Sequence, residues 1–348
     1  MGKHRIAAGI RGLSPAYFGL PMSTGIIAVA SHALGYTRIG QVLFGFNNVE
    51  VVVLSMLLLL RLLFFFPEFR KDLSSHQQGA GFLTVVAAAC ILGSEYAEFQ
   101  GAFKVGIALW YFALVAWMLL TYSFFVLVTI KRRKPSLENG MNGSWLLFVV
   151  SVQALSILGC IVAPHLGISL HSSLFIMLFF HLLGWLFYLV VIGIIFYRTT
   201  FFPMRPDEFK PTYWIDMGAA AITTLAGITL IDTMAAHGMY TELIPTLKVF
   251  IVFAWIAGTW WIPVIFVLEI WRHWTLPWKY HAGYWSLVFP LGMHVVCTWQ
   301  LALTFGLPFL KVLPEVFIWL AWGSWAVVFV GMCVKLVRTF VLNRVWLT

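Results

Sequence analysis

Ten stretches of this chain are apolar for roughly 20 residues or more, the length a helix needs to cross the hydrocarbon of a bilayer. No other feature constrains the fold as strongly. The stretches run over approximately 14–34, 40–66, 79–99, 103–130, 144–163, 172–197, 212–234, 243–270, 283–303 and 313–341. Inside lipid every backbone polar group must be satisfied internally, and runs of this length do so as helices. Hydrophobic residues make up 61% of the 348 and charged ones only 10%, far from the balance of a soluble domain. The links leave little room for a soluble domain, so one transmembrane domain is expected over 1–348.

The links alternate in character. Those after the second, fourth, sixth and eighth spans are basic (PEFRKDLSSHQQ, KRRKPSLENGMNG, RTTFFPMRPDEFKP, WRHWTLPWKYHA), and those after the odd spans are short and poor in Lys and Arg. Of the 22 Lys and Arg, 18 fall with the termini and the basic links, whereas Arg38, Lys104, Lys248 and Lys311 fall on the other side. Cytoplasmic loops carry the excess of Lys and Arg. Both termini are therefore expected in the cytoplasm of a cell that holds this chain in its inner membrane. The formal net charge of +9 is then a topology signal and does not point to nucleic acid. The opening MGKHRIAAGIR is basic and precedes an apolar run that has no evident small-x-small cleavage site in a suitable place, so it reads as a cytoplasmic arm. Cys90, Cys160, Cys297 and Cys333 lie in apolar spans without metal-ligand spacing and read as small core residues. His32, His171, His181 and His294 show no regular pairing for a haem. No metal or cofactor is expected, and the absence of a nucleotide-binding loop or hydrolytic motif points away from an enzyme.

The spans also repeat. The odd ones open on aromatic residues, and Phe18, Phe82, Trp145, Trp214 and Trp285 stand 64, 63, 69 and 71 residues apart. This predicts five parallel helical hairpins, at approximately 14–66, 79–130, 144–197, 212–270 and 283–341. Odd spans are rich in small or polar residues and even spans in bulky apolar ones. Small residues let backbones approach or leave room for a path, and bulky ones suit lipid. The expected architecture is an all-α integral membrane protein of ten helices, with an inner ring of odd helices around a central pore. Candidate pore-lining residues are Ser23, Thr24, Gly25, Ala88, Ser151, Gly218, Ala221 and Gly292.

The ninth span, GYWSLVFPLGMHVVCTWQL, carries Pro290 in its middle. A proline there removes a backbone donor and frees the carbonyl of Ser286, kinking the helix. Pro21 is a second candidate kink, in the first span. Phe289, just before Pro290, is placed to close a narrow apolar pore as a gate. His294 faces either the path or a neighbouring helix, where it serves as a proton or anion site or as a packed polar residue. Glu50, in the middle of the second span, is either paired, with His181 one conceivable partner, or a proton-coupling carboxylate. No ring of Lys or Arg lies in the odd spans, so any preference for anions must come from helix N-termini and the basic links.

SPAYFGLPMSTGI in the first span, YWIDMGAAAITTLAG in the seventh and YWSLVFPLGMHVVCTWQLA in the ninth, in this order and topology, resemble the tellurite-resistance/dicarboxylate transporter family. That family includes plant slow-type guard-cell anion channels and fungal malate and sulfite transporters. The resemblance implies a homotrimer with one pore in each protomer and Phe289 as its plug. It implies small inorganic or organic anions as the transported species, with the lipid bilayer as the surroundings. The first span, with Pro21 and Ser23-Thr24-Gly25, is closer to the transporter branch, and His294 departs from the channels. Two activities follow: a passive channel or uniporter for small mono- and divalent anions, and a proton-coupled carrier of C4-dicarboxylate, sulfite or tellurite-like anions.

Overall fold

A computed structural model of the chain describes residues 2–340, with side chains over 7–339; the end of the fifth expected hairpin, residue 341, lies outside them. Every regular element among the described residues is helical. The long helices are α1 (Gly19–Ala33), α2 (Thr37–Phe64), α3 (Thr84–Gln100), α4 (Phe103–Ile130), α5 (Leu147–Val162), α6 (Leu170–Phe201), α7 (Ile215–His237), α8 (Ile244–Thr275), α9 (Trp285–Thr304) and α10 (Val312–Phe340). Short helices at Gly2–Arg11, Phe66–Leu73 and Leu137–Gly140 lie in the connections.

Nine of these helices, with the turns that lead into them, are long and apolar enough to cross a membrane. The exception is α1. It has 15 residues, about 22 Å at roughly 1.5 Å per residue, and Pro21, Ser23, Thr24, Ser31 and His32 lower its hydropathy. Nine of the ten expected spans thus meet that length and apolarity, and the first falls short of it.

Two classes of helix separate by burial. The apolar windows of α3, α5, α7 and α9 are 72–94% buried, whereas those of α2, α4, α6, α8 and α10 are 17–44% buried. Nearly all of α1 is buried too. Each odd helix packs on the even helix that follows it, and α1, α3, α5, α7 and α9 also pack on one another in a closed ring. The bulky even helices surround that ring, with rows of exposed Val, Leu and Phe.

The repeat seen in the sequence has a specific structural cause. Each odd helix is preceded by a 3-10 turn, at Pro15–Phe18, Gly79–Leu83, Gly143–Leu146, Pro211–Trp214 and Ala282–Tyr284. The spaced aromatic residues lie in these turns or at the residue immediately after. Successive turns touch and close a second ring at the N-terminal ends of the odd helices. A side chain at Gly143 would run into the carbonyl of Thr212 in the next turn, so this ring needs a residue without Cβ there. At the other end, α3 and α7 stop at Gly101 and Gly238, with φ of 63° and 64°, the left-handed cap that glycine adopts without strain.

Candidate anion pathway

The five odd helices enclose a cavity of about 620 Å³ in their C-terminal halves. All five contribute to its wall: Ile26 to Ala33, Cys90 to Glu98, Ala154 to Pro164, Ile222 to His237 and Met293 to Gln300 bound it. It reaches the surface beside the exposed residues Pro164, Ala236 and His237. Its lining includes two carboxylates, Glu98 and Asp232, and two histidines, His32 and His237, and no Lys or Arg. These groups sit near the C-terminal ends of odd helices. The sequence reading missed them because it looked for charge in the middle of spans.

Below this cavity the ring closes. Phe289, with no exposed surface, lies four residues before Met293, the lowest lining residue of α9. That is about one helical turn. Ser23, Ala88, Ser151 and Ala221 lie one to three residues before the lowest lining residues of their own helices, Ile26, Cys90, Ala154 and Ile222. They share the level at which the cavity ends and do not line its open part.

Several small residues at that level make helix contacts. A Cβ on Gly218 would stand 2.7 Å from Cγ of Pro290, so Pro290 of α9 lies directly on α7. A Cβ on Gly292 would meet Ile26 and Ile27 of α1 at 3.0 Å. The Ser23 hydroxyl is 2.7 Å from the carbonyl of Gly19 and 2.9 Å from that of Trp285, next to the carbonyl that Pro290 frees. Thr24 accepts a bond from Trp325 Nε1 of α10 at 2.9 Å. Ser151 donates to the Phe148 carbonyl at 3.1 Å. Pro21 is the third residue of α1 and so lies in its first turn, where a proline is better tolerated. A lead-in turn, Pro15–Phe18, precedes it, and the second proline deep inside a helix is Pro263 of α8.

The family follows from the whole chain. A family model described as voltage-dependent anion channel matches residues 12–333. The chain belongs to this family. It is the tellurite-resistance and anion-channel family to which the three motifs pointed. An uncharacterized transporter of Methanocaldococcus jannaschii is 24% identical over 345 residues, covering 97% of this chain and 96% of its own length. A second from that organism is 22% identical over 324 residues, covering 91% and 92%. An uncharacterized membrane protein of Mycobacterium tuberculosis is 35% identical over 154 residues, 44% of this chain and 78% of its own. This member of the voltage-dependent anion channel family is thus a multi-pass membrane protein of anion transport.

Two singled-out ionisable residues lie away from the cavity. His294 is buried against the ring of Phe317 in α10, with centroids 5.2 Å apart. It faces a neighbouring helix. Glu50 is not paired with His181, whose Nδ1 lies 3.0 Å from Gln153 Oε1. Glu50 turns inward from α2 beside Asn47, and both of its oxygens lack a partner. Among the described residues no group of three or more His, Cys, Asp and Glu could hold a metal ion.

Proposed function

We propose that this chain is a passive channel or uniporter for small mono- and divalent anions, which pass along the axis of the odd helices and are stopped at Phe289. One observation carries the reading: a cavity bounded by all five odd helices opens at one end and stops one turn short of a fully buried phenylalanine next to a proline inside the helix. In this reading α1 completes the tenth span with its lead-in turn, both termini are cytoplasmic, and the basic links surround the shut end. The positive ends of five parallel helices and those links gather anions there. A homotrimer in the inner membrane, each protomer with its own path, is the assembly the family suggests.

The test compares wild type with Phe289→Ala in planar bilayers under chloride, nitrate, sulfite and malate gradients. A large anion-selective current in the variant, small in wild type, is expected. Cation currents of equal size, or no current from either protein, would overturn the reading. A second reading, proton-coupled carriage of dicarboxylate or sulfite-like anions, is favoured by the unpartnered Glu50. It requires flux that vanishes without a pH gradient, and passive conduction does not.

A further inference from the structure

Behind the wall of the cavity, where α1, α2 and α3 meet, lies a polar cluster that anion passage does not use. Asn47 and Glu50 stand three residues apart on the inward stripe of α2, so they share a face. Asn47 Nδ2 donates to Glu95 Oε2 of α3. The bond exists because α1 carries Gly25 opposite: a Cβ there would lie 2.5 Å from Asn47 Nδ2 and 3.1 Å from Glu95 Oε2. Asn47 and Glu95 have no exposed surface, and Glu50 is 9% exposed. Asn47 Oδ1 and Glu95 Oε1 have no hydrogen-bond partner, and the two oxygens of Glu50 have only the Thr24 hydroxyl near them, without the geometry of a full bond.

No cation answers these carboxyls. On α2 itself, Arg61 is eleven residues away, about 16 Å along the helix, and bonds Asp72 at 2.5 Å. Arg38 is nine residues before Asn47 and lies at the end of the helix. From α1 the Thr24 hydroxyl approaches Glu50, and His32 is further along, tilted against the ring of Phe99. From α3 it meets Glu95 and Glu98, while Tyr96 donates to Asn48 at 2.5 Å. From α10 it meets Trp325, which is occupied by Thr24. Two ionised carboxylates in such a place, without a counter-charge, would cost several kcal/mol each. A protonated carboxyl is neutral and supplies an O–H donor to an open acceptor.

Water can supply the proton from the cavity. Glu98 lines the cavity and is exposed, and Glu95 is three residues before it on the same face of α3. Ile91, which also lines the cavity, is the neighbour that closes over Gly25.

We propose that Glu50, Asn47 and Glu95 form a proton-binding site, filled from the cavity through Glu98. The site stands whether or not anions use the axis, and its test applies no anion gradient, so the two readings fail separately.

The test is infrared difference spectroscopy of the full chain in nanodiscs, in sodium and in choline buffers. Wild type is expected to show a protonated-carboxyl band at neutral pH. That band loses intensity in Glu50→Gln and in Glu95→Gln, and an Asp216→Asn control accounts for the other buried carboxyl that has no ion pair, since Glu269 is bonded to Arg272. Glu98→Gln keeps the band but slows its shift on transfer to heavy water. Glutamine copies the neutral acid in shape, so folding should persist. Absence of the band from wild type would overturn the proposal whatever the variants do. So would a band undiminished in both glutamine variants, or one abolished when sodium replaces choline, which would make this a sodium site.

Discussion

Gly218→Ala puts one methyl group between α7 and Pro290 of α9. Its Cβ would lie 2.7 Å from Cγ, 3.0 Å from Cβ and 3.3 Å from Cα of Pro290, whereas ordinary contact begins at 3.4 Å. About 0.7 Å must be found. A proline ring has no rotamer to swing away, and one of the three short contacts is to the backbone. Relief therefore requires α7 and α9 to shift apart at Pro290, and a shift of α9 there carries the adjacent Phe289 with it. Overpacking of this kind costs about 1–3 kcal/mol. If the shut arrangement bears all of that strain, the open population rises roughly 5- to 150-fold. The assay is single-protein conductance in planar bilayers for wild type, Gly218→Ala, Phe289→Ala and the double variant. Gly218→Ala is expected to raise anion current, and to add little once Phe289 is already gone. The reasoning is refuted if folded Gly218→Ala conducts as wild type does. It is equally refuted if Gly218→Ala multiplies the current of Phe289→Ala by its full factor, since independent effects add in free energy.

Two further outcomes follow from charge. Asp232 lines the cavity and accepts a bond from Thr304 at 3.1 Å. Asp232→Asn removes a negative charge whose repulsion of a monovalent anion ~8 Å away in water is about 0.5 kcal/mol. Anion flux entering from the cavity side should rise roughly twofold at low salt and little at high salt, as read from current–voltage curves under opposite gradients. His281, outside the spans, has its pKa lowered from the usual 6.5 to about 4 by burial and by Arg272, Lys335 and Lys210. The unfolded chain therefore binds more protons between these values. The contribution of His281 to stability is complete above pH 6.5 and is lost as pH falls toward 4. Thermal unfolding in detergent should show a midpoint that falls across that window, and His281→Gln should flatten the fall.

The architecture was legible because its signal repeats. Aromatic residues about one hairpin apart mark five 3-10 turns, and a fivefold coincidence is hard to produce without fivefold structure. Burial followed the contrast of small and bulky spans because lipid accepts Leu and Phe, whereas close backbones require Gly, Ala and Ser. The same chemistry hid the roles of individual small residues. A glycine signals that something comes near and does not say what. Gly218 is answered by Pro290, 72 residues on, and Gly25 by Asn47 and Glu95. The bond from Asn47 to Glu95 joins residues 48 apart on two helices, a relation that no spacing rule contains. Phe289 stood out in the sequence because Pro290 drew attention to it, and His294 stood out only because a histidine is unusual in an apolar span. The first span carries the weakest hydropathy signal, because α1 is short and holds Pro21, Ser23, Thr24, Ser31 and His32, and its lead-in turn lengthens it.

The two ends of the ring differ in a way that bears on direction. At the N-terminal ends of the odd helices lie the basic links, with Arg61, Arg198 and Arg272 bonded to Asp72, Glu208 and Glu269 and several more cations exposed. At the C-terminal ends lie Glu98 and Asp232, with Lys248 and Lys311 drawn over the rings of Phe305 and Trp299. Helix dipoles add positive potential at the first end and negative potential at the second. Backbone and side chains thus act together, and an anion in the proposed path is gathered at the basic end and released at the acidic one. In the proposed orientation, with the basic links in the cytoplasm, that gradient has the sense of efflux. Exposed links are screened within about 10 Å at 0.1 M salt, whereas a narrow cavity is screened less. Raising salt should therefore weaken the gathering of anions more than their release, and the preference for efflux should shrink without reversing.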